Sequence, residues 1–200
     1  MEPTPTPPAA TSHHPIRLAV TDDLQRNRLT VFFRLLLAIP PLLWAYVWGI
    51  AIAFAIIFNW FATLTRNQSP GSLHDFIASY IRYYTHATAY LFLVADPFPG
   101  FRGSASYPVD VEIDPPQRQN RWITGFRIIL AIPVLILNSV LQYVYQIIGL
   151  LGWFVCLAIG QMPQGMRDLS AYCLRFQAQT HGYTAILTDR YPSLSSGPTA

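Results

Sequence analysis

Asn27-Arg28-Leu29-Thr30-Val31-Phe32-Phe33-Arg34-Leu35-Leu36-Leu37-Ala38-Ile39-Pro40 returns 93 residues later as Asn120-Arg121-Trp122-Ile123-Thr124-Gly125-Phe126-Arg127-Ile128-Ile129-Leu130-Ala131-Ile132-Pro133. Asn-Arg, Phe-Arg and Ala-Ile-Pro fall in register, and the match extends outward without a gap. Pro15 meets Pro108, Trp60-Phe61 meets Trp153-Phe154, and Asp75, Arg82, Tyr90, Asp96 and Pro99 meet Asp168, Arg175, Tyr183, Asp189 and Pro192. Chance similarity does not align isolated Arg, Trp and Pro in register, so the chain is one unit written twice. Its organisation reads as a disordered tail 1–13, repeat 14–101, linker 102–106, repeat 107–194 and disordered tail 195–200.

Each unit opens with alternating apolar residues (14–20 and 107–113), which suit a half-buried strand. A long apolar run follows, 29–64 in one copy and 122–159 in the other. Runs of at least 18 apolar residues read as transmembrane. A single helix of that length, about 54 Å, exceeds a hydrocarbon core of about 30 Å. The expected solution is a helical hairpin, bending near Gly49 in one copy and near 138–142 in the other. The alternative is a single span after Pro40-Pro41 or Pro133, where a missing amide donor breaks the helix. Beyond each run, Leu73, Phe76, Ile77, Tyr80, Ile81 and Tyr84 share one helix face, with Asp75, Ser79, Arg82 and His86 opposite. That stretch is expected to lie along a membrane surface or against a partner helix. The fold expected is thus a mostly α integral membrane protein of two tandem repeats, each a membrane hairpin, a surface amphipathic helix and short strands.

Composition agrees. Hydrophobic residues make up 52% of the 200-residue chain, charged residues only 12%, and mean hydropathy is +0.30. A soluble domain carries roughly a quarter charged residues, so an ordinary soluble enzyme or nucleic-acid binder is excluded. The arginines flanking both runs (Arg26, Arg28, Arg34; Arg118, Arg121, Arg127) point to the cytoplasmic side. They imply an even number of crossings between them, both repeats facing the same way, and both termini in the cytoplasm of a multi-pass cell-membrane protein.

Catalytic constellations are missing from the sequence. With no Lys there is no Walker lysine, and no GxSxG, GxGxxG or HExxH occurs. Cys156 and Cys173 are too isolated for a zinc or redox site and read as buried thiols. No catalytic residue, metal or cofactor is expected. The charges inside apolar runs carry more information. Arg34 and Arg127, together with Asn27, Arg28, Asn120 and Arg121, are candidates for binding an anionic lipid headgroup; the plainer alternative is that they snorkel to the interface. Asp75, Arg82, Asp168 and Arg175 are candidates for ion pairs across the repeats, Asp75 with Arg175 and Asp168 with Arg82. The plainer reading leaves those four solvated.

The order Asn-Arg, Phe-Arg-x-x-Leu-Ala-Ile-Pro, Trp-Phe and Asp-Arg-Tyr-Pro resembles the bacterial membrane family catalogued as domain of unknown function 4389, which often carries two tandem copies. The second copy is the better match, with Asp189-Arg190-Tyr191-Pro192 intact where the first has Asp96-Pro97-Phe98-Pro99. Pro41 and Val134 stand where the family commonly has His. The resemblance implies the architecture but no activity. The leading expectation is a non-enzymatic accessory or scaffold subunit of an inner-membrane assembly, contacting lipids and a partner membrane protein or a second copy. The alternative is a small transporter or lipid-handling protein using the cleft between repeats.

Overall fold

The computed structural model describes residues 14–103 and 106–194; the terminal tails and part of the linker expected from the sequence lie outside them. Helix accounts for 66% of the described residues. The order is β1 (Ile16–Val20), α1 (Arg28–Arg66), α2 (Gly71–Leu91), β2 (Val109–Ile113), α3 (Arg121–Gly125), α4 (Arg127–Ile159) and α5 (Gln164–Thr184). α3 and α4 together match α1, interrupted at Phe126, whose N–H bonds Trp122 O.

The two strands pair antiparallel, Ile16 facing Ile113, Leu18 facing Val111 and Val20 facing Val109. Leu18 and Val111 are equivalent positions of the two repeats, as are Ile16 and Val109, and Val20 and Ile113. The pairing therefore exchanges one repeat for the other about a pseudo-two-fold axis through the Leu18–Val111 pair. The same exchange recurs away from the sheet. Trp60 Nε1 donates to Thr124 O at 3.0 Å, and its equivalent Trp153 Nε1 donates to Val31 O, equivalent to Thr124, at 2.9 Å. Isolated bridges join Gln25 to Gln161 and Gln68 to Arg118, again exchanged equivalents.

Those contacts set the direction of the long helices. The start of α1 meets the end of α4 (Val31–Trp153), and the end of α1 meets the start of the second copy (Trp60–Thr124). α1 and α4 therefore run antiparallel, and the repeats are exchanged by a two-fold rather than set side by side as parallel upright spans. The cause is the sheet: a two-fold that reverses a strand reverses every helix attached to it. Arg28 and Arg121 consequently mark opposite ends of the molecule.

The hairpin expectation is overturned, because α1 and α4 are continuous through Pro40-Pro41 and Pro133. Gly49 is not a bend. A Cβ there would stand 2.9 Å from Tyr80 Oη, so its bare backbone lets α2 pack closely. The stretch 138–142 stays helical, and Ser139 Oγ donates back to Leu135 O.

α2 returns along α1 and α5 along α4, and both lie beneath the sheet rather than on a surface, correcting the surface-helix expectation. The apolar face read from the sequence is real, with Ile77 and Ile81 in the core, but the opposite face is covered too. Its Arg82 and His86 turn towards β2. The core holds Leu18, Val109 and Val111 from the sheet, Ile81 and Ala89 from α2, and Leu174 and Ala178 from α5. Three helix-packing pairs differ between the halves in a compensating way. Ala89 and Val109 of one half become Gly182 and Ile16; Ile56 and Ala185 correspond to Gly149 and Phe92; Asn59 and Ser69 correspond to Gly152 and Met162. In each pair, a side chain lost at one position is replaced by bulk at the other, which keeps the interior filled.

α1 and α4 invert the usual amphipathic pattern. α1 buries Val31, Arg34, Ala38, Pro41, Ala45, Ile52, Ala55, Asn59 and Thr63, a stripe of mostly small or polar residues. It exposes Leu36, Leu43, Val47, Phe54, Phe58 and Phe61. Both helices are long and apolar enough to cross a membrane, and only 22% and 17% of their most apolar windows are buried. They form an apolar outside around a more polar inside.

Candidate functional site

The matched arginines sit where each long helix meets the C-terminal end of its returning helix. α2 ends with Leu93 in the left-handed region at φ 64°, and α5 with Ile186 at φ 65°. Val94 N–H closes back on Ala89 O and Leu187 N–H on Gly182 O, the hydrogen bonding of a Schellman cap. Glycine usually fills such a position, because a β-branched or bulky residue is strained there. Here the turn carbonyls are gripped from outside. Arg34 Nη1 donates to Tyr90 O (2.9 Å) and Ala95 O (3.1 Å), Nη2 meets Asp96 Oδ1 at 2.6 Å, and the guanidinium lies 4.5 Å from the Tyr90 ring centre. Arg127 Nη1 donates to Tyr183 O (2.5 Å) and Thr188 O (2.6 Å), Nη2 donates to Gln119 Oε1 (3.0 Å), and the guanidinium stacks on Tyr183. A cation at a helix C-terminus also opposes the negative end of the macrodipole.

This placement corrects the headgroup expectation for the pair. Arg34 is 1% exposed and Arg127 2%, with Nη1 of each on turn carbonyls and Nη2 on Asp96 and Gln119 respectively. Asn27 and Asn120 cannot join them in a clasp, because each side chain caps its own helix, accepting from Leu29 N–H and Trp122 N–H. Arg28 and Arg121 are exposed. Arg121 Nε bonds Asn67 Oδ1, and Arg28 lies against Gly160, so each marks a seam between the halves.

Arg26 and Gln119, equivalent positions, complete the caps. Arg26 donates to Leu93 O and Val94 O at 3.1 and 3.0 Å and pairs with Asp22 at 2.5 Å; Gln119 Nε2 donates to Ile186 O at 2.9 Å. Asn59 Nδ2 adds a donor to Ala185 O at 3.1 Å. Arg34 and Arg127 stand out in the sequence as charges inside apolar runs, whereas Gln119 and Asn59 do not. Tyr90/Tyr183 and Asp96/Asp189 were visible as matched positions; nothing in the sequence marks a turn carbonyl as the partner.

The expected cross-repeat ion pairs do not form. Arg82 Nε lies 3.0 Å from Asp110, and the guanidinium donates to Val111 O. His86 Nε2 stands 3.3 Å from the same Asp110 oxygen. Burial works against the Asp110 carboxylate, but the His86 hydrogen bond and the Arg82 charge outweigh it and hold its pKa below the ordinary value. Asp168 pairs with its neighbour Arg167 at 2.7 Å, while Asp75 is 81% exposed and lies 3.5 Å from His74. Position 110 is occupied by Arg17 in the other half, so Arg175, equivalent to Arg82, faces no acid there. It is buried against the Tyr172 ring, 5.1 Å away, and its guanidinium has no hydrogen-bond partner among the described residues. Arg82 thus reaches the strand above its own helix rather than the opposite helix, and Arg175 pairs with neither.

An apolar cavity of about 440 Å³ opens between the end of α1 and the start of α4, with Ile56, Trp60, Phe61, Leu135 and Ile186 in its wall and Arg127 at its edge.

The sequence profile of a domain of unknown function, DUF4389, matches residues 28–102 and again 121–195. The chain belongs to the DUF4389 family. The two matched segments are offset by the same 93 residues that relate the repeats and cover most of the chain. No curated protein and no solved structure matches it. Each DUF4389 copy begins at the exposed arginine after the Asn cap and spans the long helix, the returning helix and its arginine-gripped cap.

Proposed function

We propose that this DUF4389 protein is a non-enzymatic membrane protein, an accessory or scaffold subunit of an inner-membrane assembly. The observation that carries the reading is the inside-out distribution of polarity: large apolar side chains face outward along α1 and α4, while arginines, histidines and amides are buried. In water such a surface would be one contiguous exposed apolar patch, far larger than monomeric soluble proteins carry. Against lipid it has a matching solvent. The arginines do structural work at the caps, so the chain's polar chemistry is used to hold its own fold together. The polar sheet face (Arg17 and Glu112) is then what a partner protein would meet.

The test is purification from membranes in mild detergent, with carbonate extraction as a control for integration. The reading expects the protein to resist carbonate and to bring down a stoichiometric partner or a second copy. Recovery in the soluble fraction would overturn it. The cavity beside Arg127 favours a second reading, lipid handling, which expects a tightly held acyl-chain lipid by mass spectrometry and its loss on filling the cavity with Ala131→Phe.

A further inference from the structure

We infer that α1 and α4 lie in the plane of a single leaflet, with the pseudo-two-fold axis along the membrane normal and the sheet facing water, rather than crossing the bilayer. The inference rests on the membrane reading above and specifies its geometry.

Three observations carry it. The first is length. α1 has 39 residues and α4 has 33, about 58 and 50 Å. Their exposed apolar stretches, 29–61 and 128–159, are about 48 and 46 Å long, so holding them within a hydrocarbon core of about 30 Å needs a tilt of roughly 50°, beyond the 0–40° that membrane helices adopt.

The second is symmetry. α1 and α4 are antiparallel and exchanged by a two-fold that passes through the Leu18–Val111 pair. If the helices stood upright, that axis would lie in the bilayer midplane, and the sheet with it. The outer face of that sheet carries Arg17 and Glu112, the latter with 58% of its side chain exposed. Such charges do not belong in hydrocarbon.

The third is layering. The sheet packs on α2 and α5, and these pack on α1 and α4. The inward faces of Ile16, Leu18, Val109 and Val111 are buried, which leaves Arg17 and Glu112 pointing away from the apolar helices. Rotating the molecule so that the axis stands upright puts every exposed large apolar residue of α1 and α4 towards one side and the sheet charges towards the other. A helix about 10 Å thick fits a leaflet whose hydrocarbon is about 15 Å deep. Exposed Arg28, Arg66 and Arg121 then ring the insert at headgroup level, suited to anionic lipid.

The test uses everted and right-side-out membrane vesicles from cells making the full chain with a single added cysteine: Arg28→Cys or Arg66→Cys at the two ends of α1, or Glu112→Cys on the sheet. The native Cys156 and Cys173 are buried, so wild type sets the background. An impermeant maleimide is expected to label all three in one vesicle preparation and none in the other. Polarised infrared spectroscopy of wild-type protein in oriented phosphatidylcholine–phosphatidylglycerol bilayers is expected to place the amide I dichroism in the membrane plane, because all four long helices run roughly alongside one another. Labelling of Arg28→Cys and Arg66→Cys in opposite preparations, or dichroism along the normal, overturns the inference while leaving membrane residence intact. Spanning with Glu112→Cys protected would mean a second copy covers the sheet, and likewise overturns it. Failure of the wild type to float with vesicles removes both readings together.

Discussion

The pseudo-two-fold can be tested through one compensating pair. Gly182 on α5 faces Ile16 on β1; the equivalent pair is Ala89 on α2 and Val109 on β2. A Cβ at position 182 would collide with Ile16 Cδ1 but would stand 3.5 Å from Ile16 Cγ1, an ordinary contact. Gly182→Ala alone therefore overpacks the core, at a cost of about 1–3 kcal/mol. The helix regains up to about 1 kcal/mol from the better helix former. The net expectation is a loss of about 1–2 kcal/mol, read as a fall in Tm of roughly 3–6 °C. Ile16→Val alone leaves a methyl-sized void and costs about 0.5–1.5 kcal/mol. Together the two changes rebuild the Ala89–Val109 pair, and the double variant should return to within about 0.5 kcal/mol of wild type, a coupling of about 2 kcal/mol. Differential scanning fluorimetry of the detergent-solubilised protein measures all four forms. A Gly182→Ala variant more stable than wild type, or a double variant that is simply additive, would refute the exchange of packing between halves.

Arg34→Ala should cost about 3–5 kcal/mol, because it strands Asp96 and two buried carbonyls; circular dichroism and yield in membranes would show the loss. Trp60→Phe and Trp153→Phe should each lower stability by about 0.5–1.5 kcal/mol, and by similar amounts, since each removes one equivalent hydrogen bond; very unequal Tm shifts would contradict the symmetry. Burial pushes the His181 imidazole down to about 4, beside the Tyr84 ring. The folded protein keeps that ring neutral while the unfolded chain protonates near 6.5, so stability is full above about pH 6.5 and falls by about 3 kcal/mol towards pH 4. His181→Asn should flatten that part of a Tm-versus-pH curve, to which buried His14 and His74 contribute in the same direction.

The register of the repeats, the strands and the helical runs were legible because each leaves a period or an offset in the side chains. The orientation of the halves was not, since Arg28 and Arg121 look alike whether their helices run parallel or opposed. Glycine misled at position 49: it can mean a bend or a close approach, and only the Tyr80 hydroxyl opposite distinguishes them. Arg34 and Arg127 stood out as charges inside apolar runs, but their partners are main-chain oxygens around left-handed Leu93 and Ile186, residues that carry no turn signature. The charged face of α2 looked solvent-facing because its cover, Asp110 and Val111, arrives from a strand in the other repeat.

The strand pair that joins the halves is self-complementary, as a subunit interface between identical molecules must be. A chain bearing one copy could close the same ladder only with its twin, and each position would then have to serve both sides at once. An aspartate next to His86 would bring an aspartate to the opposite strand as well. Joining two copies in one polypeptide lifts that constraint, and Asp110 on one strand with Arg17 at the matching place on the other is a difference that no homodimer could hold.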